Sequence, residues 1–546
     1  MGQKRVSGTV TPPRATCAGE GGVATIAAGG GRTAFTARSE APAATGGGAR
    51  PAATGGTAGP GPEGGPAREP AAPHGPRRGA LRRGSLGAGH ILFFVVAAAA
   101  PLTAVLGGVP GAIAFGHPAG VPGAFVIAGL LYLAFAAGLT AMARHIANAG
   151  AFYAYIGAGL GPAAGLAGAF LALLAYQAIQ IAVYGLLGLV LAQASAGLLP
   201  DGARAPWWAG SALAIAAVLA CGRRNVLFSS RVLGVCLTLE LGVLVAVDLA
   251  MLAHGGPQGW SLAPFAPREI LAPGLGAAMV FVIACFVGFE ATAIFGEEAR
   301  RPAQDIPRAT YGAVALIAVL YAASAYAALV FHGEAAVAEA ARSDPTGLYL
   351  GPARALLGEG VAETMNLLLM LSLFACALSL HGAIARYLFA LARNGVGTHW
   401  LATPHPRHGG PSRAGLAQSA AAAGMLAVFA LTGQDPFAVV FSWMSALGSL
   451  AILAVQVLCA AAIIAFFRAD PRGVGRFRRL VAPALAGAGL TACLLLVVMN
   501  LPLLAGSDSA EVHAFPALVA LVGLAGAVLG RLKRPQPLRG DDAGGA

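Results

Sequence analysis

From residue 88 onward the chain consists of apolar runs of about twenty residues parted by short polar loops, and no other feature limits its fold so much. A run of that length crosses the hydrocarbon core of a bilayer as one helix. About twelve such runs are predicted, at roughly 88–108, 121–143, 162–194, 206–222, 232–253, 273–296, 309–331, 361–386, 413–432, 436–467, 480–502 and 514–530. The third and tenth are longer than one crossing needs, so tilt or extension past the bilayer is expected. Lipid offers no partner to a backbone N–H or C=O, so each run must be helical. The expected fold is therefore an all-α integral membrane domain over residues 86–531.

Charge agrees with this reading. Only 11% of the residues are charged, against about 25% in soluble domains. The net charge of +12 invites a nucleic-acid reading, but its distribution argues otherwise. Beyond residue 85 there are 24 Lys and Arg, and 20 fall on one side if both termini are cytoplasmic. They cluster after the even runs: Arg144; Arg223, Arg224 and Arg231; Arg300, Arg301 and Arg308; Arg386, Arg393, Arg407 and Arg413; Arg468, Arg472, Arg476, Arg478 and Arg479; Arg531, Lys533, Arg534 and Arg539. The opposite loops carry only Arg204, Arg268, Arg342 and Arg354. This is the positive-inside pattern of a multi-pass protein of the cytoplasmic membrane, and it needs no nucleic-acid partner.

Residues 1–85 contain 20 Gly and 10 Pro, with Phe35 the sole aromatic, and read as a disordered low-complexity tail. Eleven basic against four acidic residues make it cationic, suited to anionic lipid heads. It lacks the apolar core of a cleavable signal peptide. Residues 532–546 read as a short cytoplasmic tail. Six of the seven cysteines (Cys221, Cys236, Cys285, Cys376, Cys459 and Cys493) lie in or beside the runs, with no CxxC or Cys/His spacing. They read as small packing residues, and neither a metal nor a cofactor is expected.

Two runs, five apart, are interrupted near their middle: the first at Ala97–Thr103 and the sixth at Phe286–Glu290. Pro101 has no N–H and excludes a regular turn, so the first run is expected to unwind around Ala98, Ala99, Ala100, Pro101 and Thr103. Gly288, flanked by Phe286, Val287 and Phe289, gives the sixth similar freedom. Breaks at matching positions of two halves point to the central site of a transporter. The half-helix ends offer N–H donors to a carboxylate and carbonyl acceptors to an ammonium. The bland reading is a proline kink and a packing glycine; the matched placement favours the site.

Glu290 is a carboxyl group at mid-membrane and must face protein or a wet cavity. It is a candidate for proton coupling, or a fixed acceptor for freed N–H groups. Glu240, near the middle of the fifth run, is a second proton candidate; Asp248, nearer the outer end, reads as a solvated rim charge. Tyr176, Gln180 and Tyr184 form one helical stripe on the third run, beside Gln177, and either line a path or bond between helices. Ser372 and Ser379 read as packing residues, and Arg386 and Arg393 as interfacial side chains snorkelling toward headgroups. Glu297-Glu298 before Arg300-Arg301 reads as a salt-bridge network at a helix end. No Walker loop, Ser/His/Asp set or paired histidine motif suggests an enzyme.

Three stretches carry a family resemblance. Phe286-Val-Gly-Phe-Glu290 is followed by Gly296-Glu-Glu-Ala-Arg-Arg-Pro302 and Asp305-Ile-Pro-Arg-Ala309. The others are Asn148-Ala-Gly-Ala-Phe-Tyr-Ala-Tyr155, with Gly159-Leu-Gly161, and Arg386-Tyr387 through Ala392-Arg-Asn-Gly395. Together they resemble the amino acid–polyamine–organocation superfamily over about residues 85–530. The resemblance implies a LeuT-type fold: twelve transmembrane helices, with helices 1–5 and 6–10 as inverted repeats and two peripheral helices. It also implies secondary transport, with a small-molecule substrate between helices 1 and 6 and a proton-responsive carboxylate at the position of Glu290. Proton-coupled members can carry a lysine near the position of Glu240; here it is acidic. The family's glycine-rich break in helix 1 is replaced here by Ala97-Ala-Ala-Ala-Pro101. The expected function is thus alternating-access transport of amino acids or related amines, proton-coupled or exchanging. A polyamine or organic-amine permease, and a membrane sensor or channel on the same scaffold, are the alternatives.

Overall fold

The computed structural model describes residues 84–146, 150–196, 204–223, 226–405 and 409–533, with only the backbone described at 226–230. These residues all fall in one compact unit, Pro73–Ala546. The expected tails (84, 85, 532 and 533 apart), together with Asn148, Arg224, Arg407, Arg534 and Arg539, lie outside the described residues.

Among the described residues, eleven helices are long and apolar enough to cross a bilayer. We number them with the shorter fourth: α1 Ala88–Phe115, α2 Pro118–Ala143, α3 Pro162–Ser195, α4 Trp207–Gly222, α5 Arg231–His254 and α6 Leu275–Glu297. They continue as α7 Pro302–His332, α8 Glu359–Arg393, α9 Ser412–Leu431, α10 Pro436–Ala469, α11 Phe477–Met499 and α12 Ala510–Lys533. Every predicted run has its helix, with one qualification. Helix α4 has 16 residues, a length of about 24 Å against a core of about 30 Å. Helices α3 and α10 extend to 34 residues, as their long runs foretold, and α8 reaches 35.

The loops hold helices too short to cross: Phe152–Leu160 before α3, and Glu334–Ser343 and Gly347–Leu357 between α7 and α8. The hydropathy of the long runs gave no sign of them.

Packing divides the helices. Helix α2 lies against α7 and the first half of α6, and α1 against α6 and α7. Helix α3 packs on α4, α8 and α10, and α8 on α9. Helix α5 touches α1, α7 and α8, while α12 lies along α3. Where α3 meets α4, small residues let the backbones approach: a Cβ on Gly188 would sit 2.1 Å from Ser211 Oγ, and one on Gly210 would sit 2.7 Å from the Gly188 carbonyl. Small residues are the usual device for helix contact in lipid, where apolar burial drives little association.

One pairing is not helical. Leu86, ahead of α1, and Ala299, past α6, form an isolated parallel bridge. Leu86 N–H donates to the Glu298 carbonyl at 3.0 Å, and Arg300 N–H donates to the Leu86 carbonyl at 2.8 Å.

Candidate functional site

Helix α1 is broken at one residue. Ala88–Ala99 ends at Ala100, whose φ of 46° and ψ of 69° are left-handed, and Pro101 begins the second half at its first position. Pro101 suits that position because its missing N–H leaves no helical bond unmade. The unwinding is narrower than the sequence suggested. The Ala97 carbonyl, which Pro101 deprives of its helical donor, accepts the Ala100 N–H at 3.1 Å. The helix then runs as a wider π turn over Ala104–Gly108 before Val109–Phe115.

Helix α6 is broken at Gly288. Its φ of 116° lies where only glycine is at ease. Leu275–Ala284 precedes the break, and Phe289–Glu297 follows as a tighter 3₁₀ helix.

The two breaks touch. A Cβ on Gly288 would lie 3.2 Å from the Ala98 carbonyl carbon, the Ala98 methyl and the Ala99 nitrogen. Ala98, Ala100, Pro101 and Gly288 are buried, with Ala99 and Thr103 partly so.

A carboxyl group occupies one freed N–H donor at each break. Glu290 turns back so that its Oε2 accepts the Gly288 N–H at 3.1 Å, and its Oε1 takes the Tyr176 hydroxyl at 3.3 Å. Glu240, from α5, accepts the Leu102 N–H and the Ser372 hydroxyl, the latter at 2.8 Å. Both glutamates are buried. Two carbonyls of α1 turn to α8: that of Ala98, freed at the break, accepts Cys376 Sγ at 3.1 Å, and that of Phe94, within the regular first half, accepts the Ser379 hydroxyl. Ser372 and Cys376, which the sequence offered only as packing, therefore partner the break in α1, and Ser379 bonds the helix ahead of it.

The remaining candidates lie around this centre. Gln180 donates to the Ala377 carbonyl at 3.1 Å and to Tyr184 at 3.4 Å, while its Oε1 has no partner. Phe286 stacks on Tyr132 with centroids 5.0 Å apart, and Phe289 meets Tyr132 edge-on at 4.9 Å. Both rings thus turn toward α2, and Val287 is buried between them in sequence. Thr103 Oγ1, Tyr132 Oη and Tyr321 Oη are shielded and have no partner. Buried polar atoms are normally satisfied, so such a group of orphans calls for water or a ligand.

Three readings of side chains need correction. Asp248 is no rim charge: it is 5% exposed and accepts the Ser324 hydroxyl at 2.6 Å. Its placement toward the end of an apolar run hid a neighbour on α7. Arg386 does not snorkel. It is 5% exposed, forms an ion pair with Glu298, donates to the Gly382 carbonyl at 2.9 Å and covers the Phe295 ring at 4.7 Å. Arg393 pairs with Glu297, one of its two bonds measuring 2.8 Å. The acidic pair after α6 therefore engages α8, while the sequence had set it beside Arg300 and Arg301. Tyr387 is drawn in as well, its hydroxyl accepting the Tyr153 N–H at 2.9 Å. All three stretches that carried the resemblance are thus bound together near Arg386. Among the described residues, no group of three or more His, Cys, Asp or Glu is placed to hold a metal ion.

A bundle of apolar helices, two of them broken and touching at mid-span around buried carboxyl groups, is the architecture of a multi-pass membrane transporter. A sequence profile of the amino acid permease family matches residues 90–536, and the chain belongs to that family. Curated relatives include the methylthioribose transporter of Bacillus subtilis, 27% identical over 203 residues, or 37% of this chain and 42% of that one. The branched-chain amino acid permease BcaP of the same organism is 27% identical over 184 residues, covering 34% of this chain and 37% of its own. The uncharacterized transporter Rv1999c of Mycobacterium tuberculosis is 30% identical over 157 residues, covering 28% and 33%. The chain therefore spans about two-fifths or less of the length of the relatives it matches.

Proposed function

We propose that this protein is a secondary transporter that carries amino acids or related amines across the cytoplasmic membrane by alternating access, with both termini cytoplasmic. The carrying observation is the direct contact of two mid-membrane breaks, Ala100 with Pro101 and Gly288, five spans apart. Their backbone, with Ala98, Ala99, Thr103, Val287 and the side chains of Tyr176, Gln180, Phe286 and Phe289, lines the substrate site in this reading. Helices α1, α2, α6 and α7 rock against α3, α4, α8, α9 and α10, in keeping with the packing groups. That division, and the matched lengths of α3 and α8, support a LeuT-type inverted repeat with α11 and α12 outside it. The relatives are named for an amino acid class and for methylthioribose, which supports a solute carrier.

Proton coupling runs through Glu290 in this reading, with Glu240 as the second candidate. In proteoliposomes, Glu290→Gln is expected to insert normally and to transport without pH dependence. Retention of the full pH response would remove Glu290 from the coupling. Counterflow of labelled solute tests the carrier itself, since a channel gives none.

A further inference from the structure

The reading of the breaks as the binding site, on which this inference rests, leaves open what part of a solute they hold. A zwitterion would place its carboxylate on the N–H groups freed at the breaks. At each break one such donor is already taken. Pro101 has no N–H, so the first available on the second half of α1 is that of Leu102, and Glu240 holds it. Ser372 steadies the Glu240 carboxyl from α8. At the other break, Glu290 holds the Gly288 N–H.

The buried basic side chains of the spans, among the described residues, include His381, which is bonded to Gln418, and Arg386, and neither faces a break unpaired. Among the described residues, the buried ionisable carboxyl groups within the spans include Glu240, Asp248 and Glu290, and the buried arginine, Arg386, is committed to Glu298. Acceptors are plentiful. The Ala98 carbonyl has only a thiol donor from Cys376, a weak one, and a carbonyl keeps a second lone pair. Thr103 Oγ1 and Tyr321 Oη are unpartnered, and Tyr321 is fully buried and packed on Phe286.

We propose that Glu240 fills the place of a substrate carboxylate, so that the site selects a solute bearing an ammonium group and no free carboxylate, a mono- or diamine. Glu240 is the specificity-determining residue. It excludes amino acids by occupying the Leu102 N–H and by repelling a second carboxylate.

The test uses the full-length chain in proteoliposomes and three labelled pairs that differ by the carboxylate alone: putrescine and ornithine, tyramine and tyrosine, isoamylamine and leucine. Wild-type protein should favour the amine over the amino acid in at least one pair by about tenfold or more, the scale of one charge-assisted hydrogen bond. Glu240→Ala should lower that ratio by about tenfold, because the Leu102 N–H becomes open to the solute. Glu240→Gln, which loses the charge but keeps an oxygen to accept the Leu102 N–H, should lower the ratio less than Glu240→Ala. A single symmetric peak on size exclusion shows that each variant is folded. Wild-type preference for the amino acid in every pair overturns the proposal while leaving the carrier reading intact. So does an unchanged ratio in a well-folded Glu240→Ala. Absence of counterflow for all six solutes overturns both.

Discussion

Gly288 shows how one residue sets the geometry of the centre. Its φ of 116° strains any L side chain, at about 1–3 kcal/mol. An added methyl would also press on Ala98 and Ala99 at 3.2 Å, so α1 and α6 would have to part. Gly288→Ala is expected to insert and to migrate as a single species, with uptake reduced about tenfold or more, measured in proteoliposomes. Arg386 makes the opposite case. Removing it leaves Glu298 buried and unpaired, a loss of about 3–5 kcal/mol. Arg386→Ala should therefore lower the melting temperature in detergent sharply. The double change Arg386→Met with Glu298→Leu should recover most of it, because apolar replacement of a buried pair is often neutral. The sequence foretold neither the buried state of Arg386 nor its partner: its run shows it only as a basic residue near a helix end. Its partner lies 88 positions away.

At the scale of elements, the helices were legible because bilayer thickness asks about twenty apolar residues of a crossing and lipid forbids anything but helix. The breaks were legible too, since Pro101 and Gly288 carry their backbone consequences locally. The occupants of the freed groups were not. Glu240 reaches Leu102 across 138 positions, and no periodicity encodes that meeting. Loop helices such as Pro267–Ile270 escaped notice because they are too short to show a period. This one ties two loops: His117 Nε2 donates to Glu269 Oε2 at 3.0 Å. That bond holds the Glu269 carboxyl below its ordinary range, aided by Arg268. A depressed carboxyl stabilises the fold above its unfolded pKa, and the contribution fades as pH falls through the lower folded value. His117→Ala should thus move the onset of acid unfolding to higher pH, read by intrinsic fluorescence in detergent.

For the whole molecule, the distribution of arginine makes a prediction about sidedness. With both termini inside, the loop at Asp508 faces out and the loop at Arg472 faces in. In a Cys17→Ser background, Asp508→Cys should react with an impermeant maleimide added to intact cells, and Arg472→Cys should react only after permeabilisation. The six native cysteines of the described helices are buried or partly so, and should label poorly.

Leu86 links the scales. Its two main-chain bonds join the segment entering α1 to the residues leaving α6, and any residue with an N–H keeps both. The two interrupted spans therefore share an anchor at one end. In the rocking motion proposed above, that clasp would make the two spans pivot from one point, so that they swing as a pair.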